Sequence, residues 1–346
     1  MRSSVHPANQ SAALEAAYRL GRLEGELTSL SNDERRIFGA LLGTHMIRTA
    51  LEVEGHYYTL PRYEAWFAGI ATLNDEKTYT LRSARSIALA VIGALTRSRY
   101  SPVREAAEAM SHIFAGVDNG EPSLEEASQQ IEAAKALAEA AITDGSGPME
   151  VLESIATLAT TAADTELFAT QGRGERQFDL GFRVVTLEQD RAPSPRWALD
   201  LAMANLVARL GAGTPPLPCP GMFDLRLLQP GSLPAEIRSR ALDALLRSIE
   251  NMTACIREAG AIRKVVDRAA GMTRKSSRLP AVVELVAVHG SLRSSQLERL
   301  LGMTDLGLRK TVDIGRKAEL LAVGRLAGVR LVSLRVAPDR LAGGAS

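Results

Sequence analysis

Residues 279–336 read LPAVVELVAVHG, SLRSSQLERLLG, MTDLGLRKTVDIGRKAEL and LAVGRLAGVRLVSLRV, and these four pieces decide the fold. The first three carry apolar residues at the three- and four-residue spacing of helices. Gly290 and Gly302 end the first two, because glycine commonly follows the last helical turn, and Thr304 can cap the third. The fourth piece is rich in Leu and Val and contains two glycines, which predicts a hairpin.

The predicted third helix has two different faces. Leu308 and Val312, with Leu320 after them, lie on an apolar side that faces the other helices. The opposite side is charged and carries Arg309, Lys310, Asp313, Arg316 and Lys317. We expect Asp313 to pair with Arg309 or Lys317 at four-residue spacing, although an aspartate there could also accept a hydrogen bond from a cytosine amino group.

The order helix, helix, basic helix, hairpin resembles the winged-helix DNA-binding domains of bacterial transcription regulators, over about a sixth of the chain. The resemblance implies that the third helix enters the major groove and that a basic hairpin tip, at Arg325 or Arg330, reaches the phosphates. A two-fold dimer would place two such helices about 34 Å apart on a palindromic site. The predicted DNA-binding residues are Thr304 (through its hydroxyl or amide), Arg309, Lys310, Arg316, Lys317 and Arg325.

The distribution of charge agrees with this interpretation. From Arg263 to the end there are 16 Lys or Arg and 7 Asp or Glu, whereas the preceding 262 residues hold 25 and 33. A net charge of +1 therefore hides a basic C-terminal part. Phosphate neutralisation supplies most non-specific affinity for DNA, so the asymmetry favours DNA binding. The alternative is a winged helix that docks onto protein, with a charged helix face that is simply solvated.

Composition bounds the rest of the chain. The 346 residues are 46% hydrophobic and 23% charged, as in ordinary globular proteins. Few aromatic residues and many Ala and Leu favour closely packed helices. The longest apolar run, Ile87 to Leu95, is too short to span a bilayer, and residues 1–10 lack the apolar centre of a signal peptide. We therefore expect a cytoplasmic protein with no membrane partner.

The sequence predicts a mainly α fold with four parts. Residues 1–232 form a multi-helix N-terminal domain of unknown role, and residues 233–270 form a long helix that connects the domains or pairs with its copy in a dimer. Alternatively, this helix breaks near Gly260 and packs wholly within the N-terminal domain. Residues 271–278, GMTRKSSR, form a short basic linker that lets the next part move against the body or adds contacts to the DNA backbone. The winged helix, with its small β-hairpin, covers residues 279–340.

Two stretches are harder to assign. FDLGFRVVTLEQ, residues 178–189, has the Val and Phe content of a strand, but its flanks suit a helix, and helix is the prediction. GAGTPPLPCPG, residues 211–221, cannot be regular because its prolines fix φ and lack an N–H donor. A stiff loop on the surface is expected there.

The stretch RTALEVEGHYYTLPRYEAWFAGI, Arg48 to Ile70, is similar to one found early in Fic-like proteins. In those proteins a helix of small residues ends in Glu-Gly and a threonine-led helix follows. Glu54 and Gly55 match, whereas Ala50 stands where Ser or Thr is usual. The layout of helical part and winged helix also resembles a poorly characterised group of alphaproteobacterial proteins often carried on plasmids.

Fic enzymes transfer AMP with a histidine base and a phosphate-binding loop, in the motif H-P-F-x-D/E-G-N-G-R. The sequence HIFAGVDNGE, residues 112–121, echoes it at His112, Phe114, Asn119 and Gly120. The proline and arginine are absent, however, and the spacing is one residue too long. An inserted residue moves the backbone amides away from the phosphates. We therefore predict no enzymatic activity and no catalytic residues.

No other constellation indicates chemistry. The five histidines are scattered singly, and Cys219 and Cys255 have no partner at metal-ligand spacing, so neither a metal nor a cofactor is predicted. An aromatic cluster could line a ligand pocket but is more typical of a core. Its members are Tyr57, Tyr58, Tyr63, Trp66 and Phe67.

Taken together, these patterns predict a DNA-binding transcription regulator that acts as a homodimer. Its N-terminal domain would dimerise or bind a protein or small-molecule effector. One alternative is a protein-interaction module of a plasmid maintenance or toxin-type system. The other is a catalytically dead Fic-like protein.

Overall fold

The computed structural model of the chain describes residues 7–73, 82–114, 124–142, 147–169, 174–179, 184–189, 194–210 and 215–335. This described part is mainly helical, with two small antiparallel sheets. Its helices are α1 (Pro7–Ser29), α2 (Asn32–Val53), α3 (Leu60–Phe67), α4 (Ala84–Leu95), α5 (Ser101–Phe114), α6 (Glu125–Ala140), α7 (Pro148–Asp164), α8 (Trp197–Leu210), α9 (Pro234–Gly271), α10 (Leu279–His289), α11 (Ser294–Leu301) and α12 (Asp305–Lys317). Its strands are β1 (Gly174–Asp179), β2 (Val184–Gln189), β3 (Leu292–Arg293), β4 (Leu321–Leu326) and β5 (Val329–Leu334).

Helix α2 lies at the centre of the helical body. It begins at a capping box, in which the Ser31 hydroxyl accepts from the Glu34 amide and the Glu34 carboxylate accepts from the Ser31 amide. From Ile37 to Leu51 it is apolar on nearly all sides, and it packs against α4, α5, α8, α9 and α10. Ile37, Met46 and Leu51 are among its fully buried side chains. A helix that is apolar all round is stable only when other elements surround it.

The long helix predicted over residues 233–270 is one continuous helix, α9, of 38 residues. It does not break at Gly260, so that alternative is wrong. Its length is about 57 Å at 1.5 Å per residue. Its apolar stripe is buried within the chain, against α1, α2, α7 and α10. The helix thus joins the body to the C-terminal helices by packing, as well as by chain connection.

The stretch at residues 178–189 is not a helix. Strands β1 and β2 pair antiparallel, from Gly174 opposite Gln189 to Asp179 opposite Val184. The helix was predicted from residues 178–189 alone. Strand β1 begins earlier, at Gly174, so that stretch contained only its last two residues. Strand-favouring Val184, Val185 and Thr186 find their hydrogen-bonding partners there. Residues 180–183 lie outside the described part.

The proline-rich loop is irregular, as predicted, but its described part is not on the surface. Leu217 and Cys219 are buried, and so are Met222 and Phe223 after them. Asp200 of α8 holds this loop in place: its two carboxylate oxygens accept from the amides of Gly221 and Phe223, each at 2.9 Å. This role of Asp200 could not be predicted from side-chain patterns, because its partners are backbone amides. Residues 211–214 lie outside the described part.

Residues 279–335, hereafter the C-terminal unit, contain α10, β3, α11, α12, β4 and β5 in this order. The three strands form an antiparallel sheet in the order β3-β5-β4. Ala327 and Gly328 join β4 to β5 and both have positive φ, 49° and 79°. A two-residue turn with two positive φ values matches the right-handed twist of the strands it joins.

The C-terminal unit shares one hydrophobic core with the helical body. Arg36 of α2 binds Glu284 of α10 with two nitrogens, at 2.9 and 2.7 Å. The ring of Phe67 stacks on that of His289, with centroids 5.6 Å apart. The turn at residues 272–278 therefore joins two regions that are packed together. Independent movement of the C-terminal unit stays a prediction, as does the division into domains.

None of the helices in the described part has the length and apolar content needed to cross a membrane.

Candidate nucleic-acid interface

Helix α12 is fixed to the rest of the C-terminal unit by one face. Leu308 and Val312 are buried on that face. Gly315 allows close contact, since a Cβ there would lie 2.6 Å from Leu321 Cδ1 and 2.9 Å from Leu279 Cδ1. At its start, the Thr304 hydroxyl accepts a hydrogen bond from the Gly307 amide at 3.2 Å. The predicted cap is confirmed, and the helix presents its other face to solvent.

The exposed face of α12 holds the four cations predicted from the sequence: Arg309, Lys310, Arg316 and Lys317. At 100° per residue, positions four apart form rows along a helix. One row contains Asp305, Arg309, Asp313 and Lys317, and therefore alternates in charge. The row beside it contains Leu306, Lys310 and Ile314. On the free face, therefore, the charges of the first row cancel. The second row places one lysine between two aliphatic side chains.

Two of the four cations form ion pairs within the helix. Arg309 binds Asp305 at 2.7 Å, and Arg316 lies 3.5 Å from Asp313. Asp313 therefore pairs at three-residue spacing with Arg316, rather than with Arg309 or Lys317 as expected. The four side chains of these two pairs are each more than half exposed, so each pair contributes only about 0.3–0.5 kcal/mol to stability. Such weak pairs can be exchanged for stronger contacts with a bound anion.

The hairpin that follows α12 places two arginines directly opposite each other. Arg325 of β4 pairs in register with Arg330 of β5, one position away from the residues that flank the turn. Side chains that are directly opposite point to the same face of a sheet, with Cβ atoms about 4.5–5.5 Å apart. Arg325 is exposed and Arg330 is partly exposed. Their repulsion is a cost to the folded hairpin.

An open cleft of about 640 Å³ lies between the C-terminal end of α12 and the sheet. It is lined by Asp313, Arg316, Lys317, Leu321, Ala322, Val323 and Arg335. Arg335 also binds Glu319 at 3.1 Å, in a pair that is exposed on both sides. Three cations, Arg316, Lys317 and Arg335, thus face an open groove that continues from the charged face of α12 towards β4.

The structure brings most of the predicted residues together and leaves two apart. Arg309, Lys310, Arg316 and Lys317 share one face. Thr304 lies at the start of the same helix, where its hydroxyl oxygen is occupied by capping. Arg325 lies on the separate hairpin, within strand β4 rather than in the turn.

Sequence reasoning missed Leu306 and Ile314. Both are large aliphatic side chains with exposed fractions of 62% and 46%. They were assigned to neither face, because the apolar side was defined by Leu308, Val312 and Leu320 and the other side by its charged residues alone. Their position relative to Leu308 and Val312, at 100° per residue, could have placed them on the other face.

The residues that echo Fic proteins do not form a site in the described part. His112 is exposed near the end of α5, and its carbonyl oxygen accepts from Arg299 Nη1 at 3.5 Å. Asn119 and Gly120 lie outside the described residues. Glu54 is buried: Trp197 Nε1 donates to it at 2.7 Å, and Arg82 binds it at 2.7 Å. Through these contacts Glu54, at the end of α2, is joined to Trp197 of α8 and to Arg82, which lies two residues before α4. Their role is structural.

Most of the aromatic cluster belongs to the core. Tyr63, Trp66 and Phe67 are buried, and Phe114 of α5 lies edge-on to both Trp66 and Phe67. Tyr57, in contrast, is 55% exposed. Within the described part, no group of three or more His, Cys, Asp or Glu side chains is placed to hold a metal ion.

Comparison with known proteins found no match to this chain among protein-family models, curated proteins or solved structures.

Proposed function

We propose that this chain is a DNA-binding transcription regulator and that its C-terminal unit is a winged helix; residues 336–340 of the predicted domain lie outside the described part. In this proposal α12 is the helix that lies in the major groove, and the β4–β5 hairpin is the wing beside the phosphate backbone. The order of α10, β3, α11, α12, β4 and β5, with the sheet order β3-β5-β4, supports the proposal.

The observation that carries the proposal is the opposition of Arg325 and Arg330. Like charges directly opposite in adjacent strands destabilise a hairpin. DNA phosphates neutralise both guanidinium groups and so remove the repulsion. Arginine also binds phosphate through two parallel N–H donors, which a lysine cannot do. A hairpin that met only solvent would gain nothing from this pair.

Net charge and position add support. Between Leu279 and Arg335 there are nine Lys or Arg and five Asp or Glu. The turn before α10 adds three exposed cations, Arg274, Lys275 and Arg278. The acidic residues of α12 are held in intrahelical pairs, whereas no ion pair of Lys310 or Lys317 is found among the described residues. These two lysines are therefore the first candidates for direct contact with phosphates or base edges.

The proposal extends to a homodimer on a palindromic site, with the two copies of α12 about 34 Å apart. The helical body, which carries most of the acidic residues, would supply the dimer contacts or the site for an effector. Because the apolar stripe of α9 is already buried within the chain, we expect the dimer contacts elsewhere on the body.

Charge-removal variants of the full-length protein test the proposal. Arg309→Ala/Lys310→Ala removes two cations from the free face of α12. The matched control, Arg22→Ala/Lys135→Ala, removes one arginine and one lysine from intrahelical pairs of the body, Arg22–Glu26 and Lys135–Glu132. Fluorescence anisotropy on mixed-sequence duplexes at low salt gives the two affinities.

We expect the first variant to lose at least tenfold in affinity and the control to change less than twofold. Equal affinities for the two variants would contradict the assignment of α12. The full chain is required, because removal of the C-terminal unit would expose the apolar surface of α2 and α9 on which α10 packs.

A further inference from the structure

The exposed aliphatic side chains of α12 are arranged as a pair on the face that holds the cations. Leu306 and Ile314 are eight residues apart, in one row with Lys310 midway between them. Neither side chain belongs to the hydrophobic core of the chain. With exposed fractions of 62% and 46%, both keep substantial apolar area in water.

The surroundings of this pair identify the partner by charge. Arg309, Lys310 and Lys317 lie on the same face, and the hairpin adds Arg325 and Arg330. An apolar protein groove that covered Leu306 and Ile314 would also have to bury Lys310, which costs several kcal/mol for an unpaired ammonium. A polyanion with apolar groups at intervals would satisfy both kinds of side chain.

The DNA major groove offers one apolar group, the C5-methyl of thymine. The other groups by which base edges are recognised in this groove are hydrogen-bond donors and acceptors, which Leu and Ile cannot use. A helix of 1.5 Å rise per residue separates Leu306 from Ile314 by about 12 Å along its axis. Base pairs repeat every 3.4 Å along each strand, so this distance spans about three to four base pairs.

From this geometry we infer that Leu306 and Ile314 each contact a thymine methyl group, at two positions three to four base pairs apart within one half-site. This inference rests on the proposed DNA-binding function and adds its sequence preference. Lys310, between the two aliphatic side chains, reaches the acceptor atoms of an intervening base or the adjacent phosphate. Leu306 and Ile314 thus determine specificity, whereas the hairpin arginines contribute affinity without sequence information.

Replacement of thymine by deoxyuridine tests the inference, because it removes the methyl group and leaves every hydrogen-bonding atom in place. Duplexes are first selected from a random pool by the full-length protein. Each thymine of the selected site is then replaced in turn, and the affinity is measured by anisotropy. We expect two sensitive positions per half-site, three to four base pairs apart, each with an affinity loss of about fourfold per methyl group.

Variants then assign each position. The DNA affinity of Leu306→Ala should not change when deoxyuridine replaces thymine at one of the two positions, because that methyl contact is already lost. The affinity of Ile314→Ala should likewise not change at the other position. Both side chains are exposed, so the variants retain the fold, which circular dichroism checks. Leu14→Ala, at a 71% exposed leucine of α1, is the matched control and should keep both sensitivities.

The outcomes separate this inference from the proposed function. Duplex binding with no effect of deoxyuridine at any position, or with no sequence preference in the selected pool, would overturn the methyl contacts and leave DNA binding intact. Unchanged affinity of Leu306→Ala and Ile314→Ala on the thymine site would overturn them as well and direct attention to a protein partner. Failure to bind any duplex at low salt would overturn both.

Discussion

Glu64 of α3 and Ser291, which follows α10, are joined by two hydrogen bonds. The amide and the hydroxyl of Ser291 both donate to Glu64 Oε2, each at 3.2 Å. The adjacent Gly290 has φ 77°, and the same carboxylate occupies the space that a side chain there would need. Together with the Arg36–Glu284 pair, this contact sets the orientation of the C-terminal unit on the helical body.

Substitution of Gly290 should therefore disturb the contact between unit and body. A Cβ at residue 290 would lie 2.4 Å from Glu64 Cδ, so Gly290→Ala must displace the carboxylate and break its two bonds to Ser291. We expect the free energy of unfolding to fall by about 2–4 kcal/mol, from the lost hydrogen bonds and from the strain of an alanine at φ 77° and ψ −143°, a region essentially restricted to glycine. Gly302→Ala is the control: its φ is 59°, and a Cβ there meets no atom within 4 Å. It should cost about 1–2 kcal/mol, from the positive φ alone. Equal losses in urea unfolding would show that Glu64 does not hold the unit in place.

The hairpin should become more stable when its repulsion is removed. Arg325→Thr replaces one member of the opposed pair by a residue that favours strands. We expect a gain of about 0.2–1 kcal/mol in unfolding free energy at low salt, together with weaker binding to DNA. The double variant Arg325→Thr/Arg330→Thr should gain little more, since the first substitution has already removed the repulsion. A less stable Arg325→Thr, or one with unchanged DNA affinity, would contradict the role given to this pair.

Acid should destabilise the body through a buried histidine. Burial lowers the pKa of His56 to about 4, although its hydrogen bond to the Arg82 carbonyl acts in the opposite direction. The unfolded state has the ordinary pKa of about 6.5 and so binds the proton more readily. The stability contribution of His56 is therefore complete above pH 6.5 and is lost as the pH falls towards 4.

A glutamine at residue 56 retains an N–H donor but does not titrate in this range. We expect His56→Gln to lose less stability than the native chain between pH 7.5 and pH 5, by about 1–2 kcal/mol. Urea unfolding at the two pH values measures the difference. Parallel changes in both proteins would mean that His56 does not carry the acid sensitivity.

The proline-rich loop should loosen when Asp200 is changed. Its buried carboxylate accepts from two amides, and burial raises its pKa to about 7 despite these bonds. Asp200→Asn replaces one acceptor oxygen by an NH₂ group, so one amide loses its partner. We expect a loss of about 1–3 kcal/mol in unfolding free energy at pH 8.

The nearby Cys219 reports on the same loop. Cys219 and Cys255 are both buried, and burial raises the pKa of each thiol to about 12, so neither should react with thiol reagents in the native chain. In Asp200→Asn combined with Cys255→Ser, Cys219 should become labelled under native conditions. Protection equal to that of Cys255→Ser alone would argue against Asp200 as the residue that holds the loop.

The sequence was sufficient for features that depend on local pattern. The helical spacing of Leu308 and Val312 correctly divided α12 into a buried and an exposed face, and Thr304 was correctly identified as its cap. Strand register explains one feature that was missed. The opposition of Arg325 and Arg330 requires the strand register, which the turn at Ala327 and Gly328 fixes.

Tertiary contacts explain the remaining errors. The loop after residue 214 is buried because Asp200, on another element, supplies acceptors for its amides. The contact between Glu64 and Ser291 joins residues that are 227 positions apart, and no local pattern predicts it. The surface location of this loop was inferred from its irregular backbone alone. Such an inference holds only where no buried side chain accepts hydrogen bonds from the backbone amides.

The most direct measurement of the central claim is the affinity of the full-length protein for mixed-sequence duplex DNA over a series of salt concentrations. If the C-terminal unit binds phosphates, log affinity should fall linearly with log salt, and the slope should become shallower by up to about two in Arg309→Ala/Lys310→Ala. Absence of binding at the lowest salt, or a slope that is the same in the native chain and this variant, would contradict DNA binding through α12.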